Sequence, residues 1–165
     1  MIQKIDEHGL IDSNLRVVTV GETLAKFTDL DAHRDYFVHM KRLFNVIGSM
    51  IAKEVGATAI LTGENLGQVS SQTLGNLGAV EEASKYRILR PLLGLDKQEI
   101  IDEARLLGTY EISSGPEMCD ALGPDRPTTV ADLARLRQNE EAQGGLANSA
   151  KKCLESLRMR PLVEK

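Results

Sequence analysis

Residues 60–77, ILTGENLGQVSSQTLGNL, carry the side chains of this 165-residue chain that are best suited to hold a ligand. A short apolar run ends at Gly63, where the missing side chain would let a ligand approach the backbone closely. Gln68 and Gln72 lie four positions apart, so they would share one helix face, and their amides can hydrogen-bond to a base edge or to a phosphate. A tight turn that opens an exposed polar helix would use the same residue types. The residues alone leave both interpretations open.

Two cysteines offer thiol chemistry. Cys119 lies in a predicted Gly- and Pro-rich loop over 112–129, ISSGPEMCDALGPDRPTT. Such a loop would allow the thiol to approach a reaction partner. Its neighbours Glu117 and Asp120 disfavour a thiolate through like-charge repulsion. Cys153 falls on the apolar stripe of a predicted helix, so we expect it in the core. The two cysteines are 34 positions apart and form neither a disulfide framework nor a metal-type pair.

Alternating strands and helices must position these side chains. This alternation is typical of an α/β fold with a parallel sheet, in which ligands bind beyond the carboxyl ends of the strands. Gly63 would lie at such an end. Short apolar or β-branched runs predict parallel strands near 15–20, 57–62 and 87–91, and helical patterns cover 34–55, 74–86 and 95–108.

Two of the helices have clear termini. The helix over 34–55 is followed by Gly56, a natural C-cap, and the helix over 95–108 has a capping box formed by Asp96 and Glu99. Apolar residues recur at helical spacing in both helices. They are Phe37, Met40, Phe44, Ile47, Ile51 and Val55 in the first, and Ile100, Ile101, Ala104 and Leu107 in the second.

The C-terminal part is polar and rich in alanine. Two helices are predicted there, over 129–142 and 146–159. A chain of this length is expected to form one domain with a real core, over 1–165, with 129–165 as a helical C-terminal excursion.

The composition narrows the classes of function. A net charge of −4 and a pI near 5.4 disfavour autonomous nucleic-acid binding, despite short basic clusters at 85–90 and 151–160. Aromatic residues make up 4%, so base-stacking platforms are scarce. The sequence contains no apolar run long enough to span a bilayer and no apolar signal core at its N-terminus, and we expect a cytoplasmic protein without a membrane partner.

The string TGENLGQVSSQTLGNL at 62–77 closely resembles the TGE-S/N-LGQV-A/S-SQTL signature of the tRNA 4-thiouridine synthetase family, also called ThiI. The similarity continues through RILRPLLGLDKQEIIDEARLLGTYEIS at 87–113 and covers roughly residues 14–130. The resemblance implies a three-layer α/β domain of the PP-loop, adenine nucleotide alpha-hydrolase type. Family members adenylate a tRNA uridine with ATP and then deliver sulfur from a cysteine persulfide, and some pass sulfur toward the thiamine thiazole.

The resemblance also implies roles for individual residues. Gly63 and Gln72 match positions that contact the adenine nucleotide. The family's Arg-Arg pair falls on Lys41 and Arg42, and Lys41 keeps the charge of the first arginine but not its planar fork. Cys119 stands where the family places its sulfur-handling cysteine.

The phosphate-binding string of the family, Ser-Gly-Gly-x-Asp-Ser, does not occur in these 165 residues. The resemblance therefore implies a PP-loop domain truncated by its first two strands, with weak or partner-dependent ATP binding. One hypothesis is a subunit of a split sulfurtransferase, whose partner chain brings the PP-loop and contacts tRNA. The other is a non-catalytic remnant that serves as a binding or structural module. The missing strands predict an association, either with such a partner or as a homo-oligomer.

Overall fold

The computed structural model describes residue 4 and residues 15–29, 32–67, 72–115 and 121–160, so Gln68 and Cys119 lie outside the described residues. The strands are β1 (Leu15–Val17), β2 (Ala59–Leu61), β3 (Arg87–Leu89) and β4 (Arg158–Arg160). The helices are α1 (Gly21–Ala25), α2 (Tyr36–Val55), α3 (Leu74–Glu81), α4 (Lys97–Leu106), α5 (Tyr110–Ser113), α6 (Leu133–Ala142) and α7 (Leu146–Leu154), with 3-10 turns at Lys26–Thr28 and His33–Asp35. In this part of the chain, no helix is long and apolar enough to cross a membrane.

Strands β2 and β3 pair in parallel, as predicted, with Ile60 opposite Ile88 and Leu61 opposite Leu89. Helix α2 packs on the Ile60 side of this pair, where a β-carbon added at Gly48 would lie 3.2 Å from Ile60 Cδ1. Successive side chains of a strand point to opposite faces. Leu61 and Leu89 therefore face the other way, and they are 70% and 51% exposed.

The prediction that the first strand joins the same parallel sheet was wrong. Strand β1 pairs antiparallel with β4, with Leu15 opposite Arg160 and Val17 opposite Arg158, and these two strands form a separate sheet. The predicted helix over 146–159 was too long. Helix α7 ends at Leu154, and the chain then forms β4, the partner of β1. A pairing between strands so distant in sequence cannot be predicted from the pattern of apolar residues within either strand.

Helix α2 is the central element. It begins within two residues of the predicted start and ends at Gly56, which adopts a left-handed conformation with φ of 70° and donates its N–H to the carbonyl of Ala52. The predicted stripe is only partly buried, because Phe44 and Val55 are exposed. The helix instead buries residues on two sides, namely Tyr36, Val38, His39, Met40, Arg42, Leu43, Asn45, Ile47, Ser49 and Ala52.

Two apolar clusters account for these two buried sides. The first joins one side of α2 to the N-terminal turns and to α7, and it contains Leu24, Phe27, Ala32, Tyr36, Met40, Leu43, Ile47, Ala150 and Cys153. The second joins the other side to α3 and α6, and it contains Val38, Ala79, Val80 and Leu136. Burying such side chains contributes about 1.5–3 kcal/mol each. Helix α2 therefore holds the layers of the fold together.

Polar contacts fix the C-terminal helices to this centre. The amide of Asn76 donates to the carbonyl of Thr128 at 2.7 Å and accepts from the N–H of Ala131 at 2.8 Å. Arg135 of α6 donates to both carboxylate oxygens of the buried Asp35, at 2.8 and 3.0 Å. The segment predicted as an excursion thus packs directly against α2 and α3.

Helix α4 has the predicted capping box. The Asp96 carboxylate accepts from the N–H of Glu99 at 2.9 Å, and the Glu99 carboxylate accepts from the N–H of Asp96 at 2.7 Å. Its predicted apolar stripe is only half-buried, and no residue of the helix is fully buried. Helix α4 therefore lies at the periphery of the described fold.

Candidate nucleotide site

The carboxyl end of β2 opens directly onto Gly63. A β-carbon added at this position would have no heavy atom of the described residues within 4 Å, and Gly63 itself is exposed. The chain then enters a tight turn, in which Gly67 takes a left-handed conformation with φ of 77° that favours glycine. An exposed backbone at the end of a parallel strand is the usual place for a ligand in an α/β sheet.

Three charged side chains meet beside this strand end. The buried Glu64 carboxylate accepts from Lys41 Nζ at 2.9 Å and from Arg90 Nε at 2.8 Å. Arg90 also donates to Glu81 at 2.7 Å. Lys41 comes from α2, Glu64 follows β2 and Arg90 follows β3, so three elements contribute to the cluster. Arg90 Nη2 is buried and has no hydrogen-bond partner among the described residues.

The charges of this cluster balance one another. Burial by itself would raise the pKa of Glu64, but the hydrogen bonds and charges of Arg90 and Lys41 outweigh it and hold the pKa below the ordinary carboxyl value. Burial likewise opposes the charged form of Arg90, and its bonds to Glu81 and Glu64 raise its pKa nonetheless. Two cations therefore face two carboxylates, which leaves little net positive charge for a phosphate.

Gln72 closes the turn that follows Gly63. Its side-chain oxygen accepts from the N–H of Asn65 at 3.0 Å, and its carbonyl accepts from the N–H of Gly67 at 2.9 Å. The buried Asn65 amide in turn donates to the carbonyl of Leu92 at 2.7 Å and to that of Leu95. The NH2 group of Gln72 makes no hydrogen bond within the described ranges. Gln72 therefore shapes the turn, and none of the described residues occupies its two amide donors.

A small cleft of about 270 Å³ lies beside this turn, between it and the start of α4. Its walls are formed by Asn65, Leu66, Gly67, Leu95, Asp96 and Lys97.

Arg42 lies in a different environment from Lys41. Its guanidinium donates to both oxygens of Glu140, from Nε at 2.6 Å and from Nη2 at 3.0 Å, and Nη1 donates to Glu82 at 2.9 Å and to the carbonyl of Ala79. All of its nitrogens are thus engaged by the protein, and the side chain is buried. The structure does not bring Arg42 to the strand end with Lys41 and Gly63.

Cys153 is buried, as expected, and its Sγ lies 3.2 Å from the hydroxyl of Thr23. Gln68 and Cys119 fall outside the described residues, so their predicted roles stay predictions. Three residues at this strand end were not predicted from the sequence, namely Glu64, Asn65 and Arg90. Glu64 and Asn65 belong to the TGEN string, and Arg90 belongs to the LRPL string. Their position, as polar residues directly after predicted strands, could have identified them as candidates for the site.

The thiamine biosynthesis protein (ThiI) family matches residues 1–144 of the chain. The chain belongs to the ThiI family. A tRNA sulfurtransferase of Psychromonas ingrahamii is 45% identical over 105 residues, which are 63% of this chain and 22% of that protein. A probable tRNA sulfurtransferase of Nocardia farcinica is 40% identical over 131 residues, which are 78% of this chain and 32% of that protein. The chain therefore matches a third or less of the length of these ThiI relatives.

A solved structure supports the same family. The crystal structure of a 4-thiouridine synthetase–RNA complex with bound ATP superposes on this chain with a TM-score of 0.85 and 30% identity. The superposition covers 96% of this chain and 42% of that one. This likeness confirms the predicted α/β fold of the PP-loop type.

Proposed function

We propose that this chain supplies the adenine side of an ATP site and the sulfur-carrying cysteine of a tRNA sulfurtransferase, which adenylates a tRNA uridine and converts it to 4-thiouridine. The observation that carries the proposal is the open backbone at Gly63 beside the Lys41–Glu64–Arg90 cluster. This arrangement occurs in a chain that matches a 4-thiouridine synthetase along 96% of its length. A tRNA substrate also favours the cytoplasm as the place of action.

Each part of the strand end has a distinct role in this proposal. The backbone at Gly63 allows the adenine ring to lie against the chain, since no side chain of the described residues occupies that space. The NH2 group of Gln72, which the described residues leave without a hydrogen bond, donates to a ring nitrogen or to a phosphate oxygen. Lys41, which Glu64 holds at 2.9 Å, supplies a positive charge beside the nucleotide.

The triphosphate needs further donors. Lys41 and Arg90 are already neutralised by Glu64 and Glu81, and Arg42 is fully occupied by Glu140, Glu82 and Ala79. Hydrogen bonds to charged groups contribute roughly 1.5–3 kcal/mol each. We therefore propose that a PP-loop, from another part of the polypeptide or from a partner chain, binds the phosphates, and that these 165 residues alone bind ATP weakly.

Sulfur transfer is assigned to Cys119. A cysteine desulfurase would transfer its persulfide sulfur to the thiol of Cys119. The terminal sulfur of this persulfide would attack C4 of the adenylated uridine and displace AMP. A dithiol reductant would then cleave the disulfide that joins Cys119 to the base, which releases 4-thiouridine and the free Cys119 thiol while the dithiol is oxidised; the same reductive cleavage would release sulfur toward the thiamine thiazole. Cys153 is unsuited to this role because it is buried under α2 and contacts Thr23.

Complementation tests the proposal. The 165-residue chain is mixed with the part of the Nocardia farcinica relative that precedes the matched region, together with tRNA, ATP, a desulfurase and cysteine. Formation of 4-thiouridine, measured by mass spectrometry of digested tRNA, is expected only when both polypeptides are present. Calorimetry should show no micromolar ATP affinity for the chain alone. Micromolar affinity without the second polypeptide would contradict the assignment of the phosphate site to a PP-loop.

A second candidate function is a non-catalytic binding or structural module. The specific observation in its favour is that both members of the Lys41–Arg42 pair are held by carboxylates rather than left free. Complementation also separates the two candidates. An assembled pair of polypeptides that binds tRNA but forms no 4-thiouridine with any desulfurase would favour the module.

The exposed face of the parallel strand pair supports an association. Leu61 and Leu89 lie side by side on this face, and β2 pairs with β3 alone among the described strands. Unpaired strand edges and apolar faces are surfaces on which other chains assemble. We propose that a polypeptide carrying the PP-loop covers this surface, and that the chain purified alone forms a homo-oligomer through it.

A further inference from the structure

A second, larger cleft lies away from the strand ends, between α2, the turn after α3 and the α6–α7 corner. It has a volume of about 670 Å³, within the range of small-molecule sites. One wall is a single face of α2, with Arg42, Val46, Ser49, Met50 and Lys53. The other walls are formed by the turn after α3 and by the α6–α7 corner.

One end of this cleft is closed by paired charges. Arg42 holds Glu140 and Glu82, and Glu82 also accepts from the exposed Arg137. Hydrogen bonds from Arg137 and Arg42 hold the pKa of Glu82 below its ordinary range, so this carboxylate is charged and satisfied at neutral pH. These groups form a rigid wall and are not available to a ligand.

The opposite end has two lysines, Lys53 and Lys85, that form no ion pair with any described residue. Lys53 lies eleven residues after Arg42 on α2, about 16 Å along the helix. The N–H of Lys85 donates to the hydroxyl of Ser49, one helical turn before Lys53, so the two lysines flank the same end of the cleft. Across the ranges that the structure describes, neither lysine forms an ion pair.

The middle of the cleft is apolar, with Val46 and Met50 on one side and Leu146 and Ala147 on the other. Tyr86 adds an aromatic ring next to Lys85. Glu141 contributes a carboxylate without an ion-pair partner in the described part of the chain. The cleft therefore offers three kinds of contact, namely an apolar and aromatic surface, a hydrogen-bond acceptor and a pair of cations.

We propose that this cleft binds a nucleotide, with the base against Met50, Val46 and Tyr86 and the phosphate between Lys53 and Lys85. A nucleotide has the matching parts: a flat base that stacks on apolar and aromatic groups, ribose hydroxyls that donate to a carboxylate, and an anionic phosphate. The volume suits one such unit. This site is separate from the strand-end site at Gly63, and it does not depend on the function proposed there. The nucleotide is either a free 5′-mononucleotide or one unit of an RNA chain.

The test is a titration of the isotopically labelled 165-residue protein, followed by NMR, with UMP, uridine and a short single-stranded oligouridylate as probes. Shifts are expected at Ser49, Met50, Lys85 and Tyr86. Uridine should bind more weakly than UMP because it lacks the phosphate. Binding of UMP assigns the site to free nucleotides, and binding of the oligonucleotide without UMP assigns it to RNA.

A matched pair of variants tests the role of the lysines. K53E/K85E should weaken binding by about tenfold, a loss typical of two partly exposed charge contacts. K26E/K152E makes the same change in net charge at two exposed lysines outside the cleft and should bind like the unmodified protein. Circular dichroism melting confirms that each variant is folded. Equal affinities of the two double variants, or shifts confined to residues 62–67 and 72–75 at the strand end, would overturn the proposal.

Discussion

Arg42 and Glu140 form a buried two-pronged ion pair between α2 and α6, with Nε 2.6 Å from Oε1 and Nη2 3.0 Å from Oε2, across 98 positions of sequence. His39 Nδ1 lies 3.3 Å from the same Oε1. Its ring stacks on Phe27 with a centroid distance of 4.4 Å. The pair therefore connects the two apolar clusters on either side of α2.

Replacing Glu140 by glutamine should destabilise the protein strongly. The substitution leaves the Arg42 cation buried without its main partner, which typically costs about 3–5 kcal/mol. Urea unfolding followed by circular dichroism measures the loss. Arg137→Gln is the control, because this exposed arginine contacts Glu82 at the surface and its removal should cost less than about 1 kcal/mol. Equal losses in the two variants would contradict a structural role for the buried pair.

Acid should destabilise the protein through Glu140 and Glu64. Burial raises the pKa of Glu140, but the hydrogen bonds from His39 and Arg42 outweigh it, and the pKa lies below the ordinary value in the folded state. The folded protein then binds fewer protons than the unfolded chain. Stability should be fully present above the unfolded carboxyl pKa of about 4.3 and should fall as the pH decreases through the lower folded values.

Unfolding free energies between pH 7 and pH 3 test this dependence. The E64Q/E140Q variant, compared with its own stability at pH 7, should show a flatter acid limb, because two of the carboxyl groups with depressed pKa are gone. An acid limb as steep as that of the unmodified protein would mean that other carboxyl groups are responsible.

Gln72→Ala should loosen the turn after Gly63. The variant removes the acceptor for the N–H of Asn65, and a hydrogen bond with a net contribution of about 1 kcal/mol corresponds to about fivefold faster amide exchange. Hydrogen–deuterium exchange at Asn65 measures the effect. Gln98→Ala is the control, since Gln98 contacts Asp102 on the exposed side of α4. Unchanged exchange at Asn65 would show that other contacts hold the turn.

Persulfide loading should depend on Cys119 and tolerate the loss of Cys153. Labelled sulfur from a cysteine desulfurase should be retained by Cys153→Ala and lost in Cys119→Ser. In native protein, iodoacetamide should modify Cys153 slowly, because its thiol is buried beside Thr23. Retention of label in Cys119→Ser together with its loss in Cys153→Ala would reverse the assignment.

Charges placed on the exposed strand face should disrupt self-association. L61E/L89E removes the apolar character of neighbouring positions on β2 and β3, and multi-angle light scattering should show a shift from oligomer to monomer. Leu106→Glu is the control, because Leu106 is an exposed leucine at the end of α4 and belongs to neither strand of the pair. A stable monomer at low micromolar concentration before any substitution would contradict the predicted oligomer.

Features encoded within a short stretch of chain were predicted correctly. Helix α2 with its Gly56 cap, the capping box of Asp96 and Glu99, and the parallel neighbours β2 and β3 all follow from local signals, because propensity, capping and periodicity act over a few residues. The family was predicted from a continuous string around Gly63 for the same reason.

The partners of the charged residues were decided by tertiary structure. Lys41 and Arg42 are adjacent in sequence, but consecutive residues of a helix point about 100° apart. Lys41 therefore contacts Glu64 at the strand end, whereas Arg42 contacts Glu140 of α6. Likewise, β1 pairs with β4, which lies more than 140 positions later in the sequence. The residue patterns were enough to predict the family, helices α2 and α4 and the parallel pair of β2 and β3, but not the strand β4 or the partner of β1. The pairing of the charged side chains depends on contacts between residues that are distant in sequence. Local sequence patterns do not contain this information, so they cannot show which charges are neutralised and which remain for a ligand.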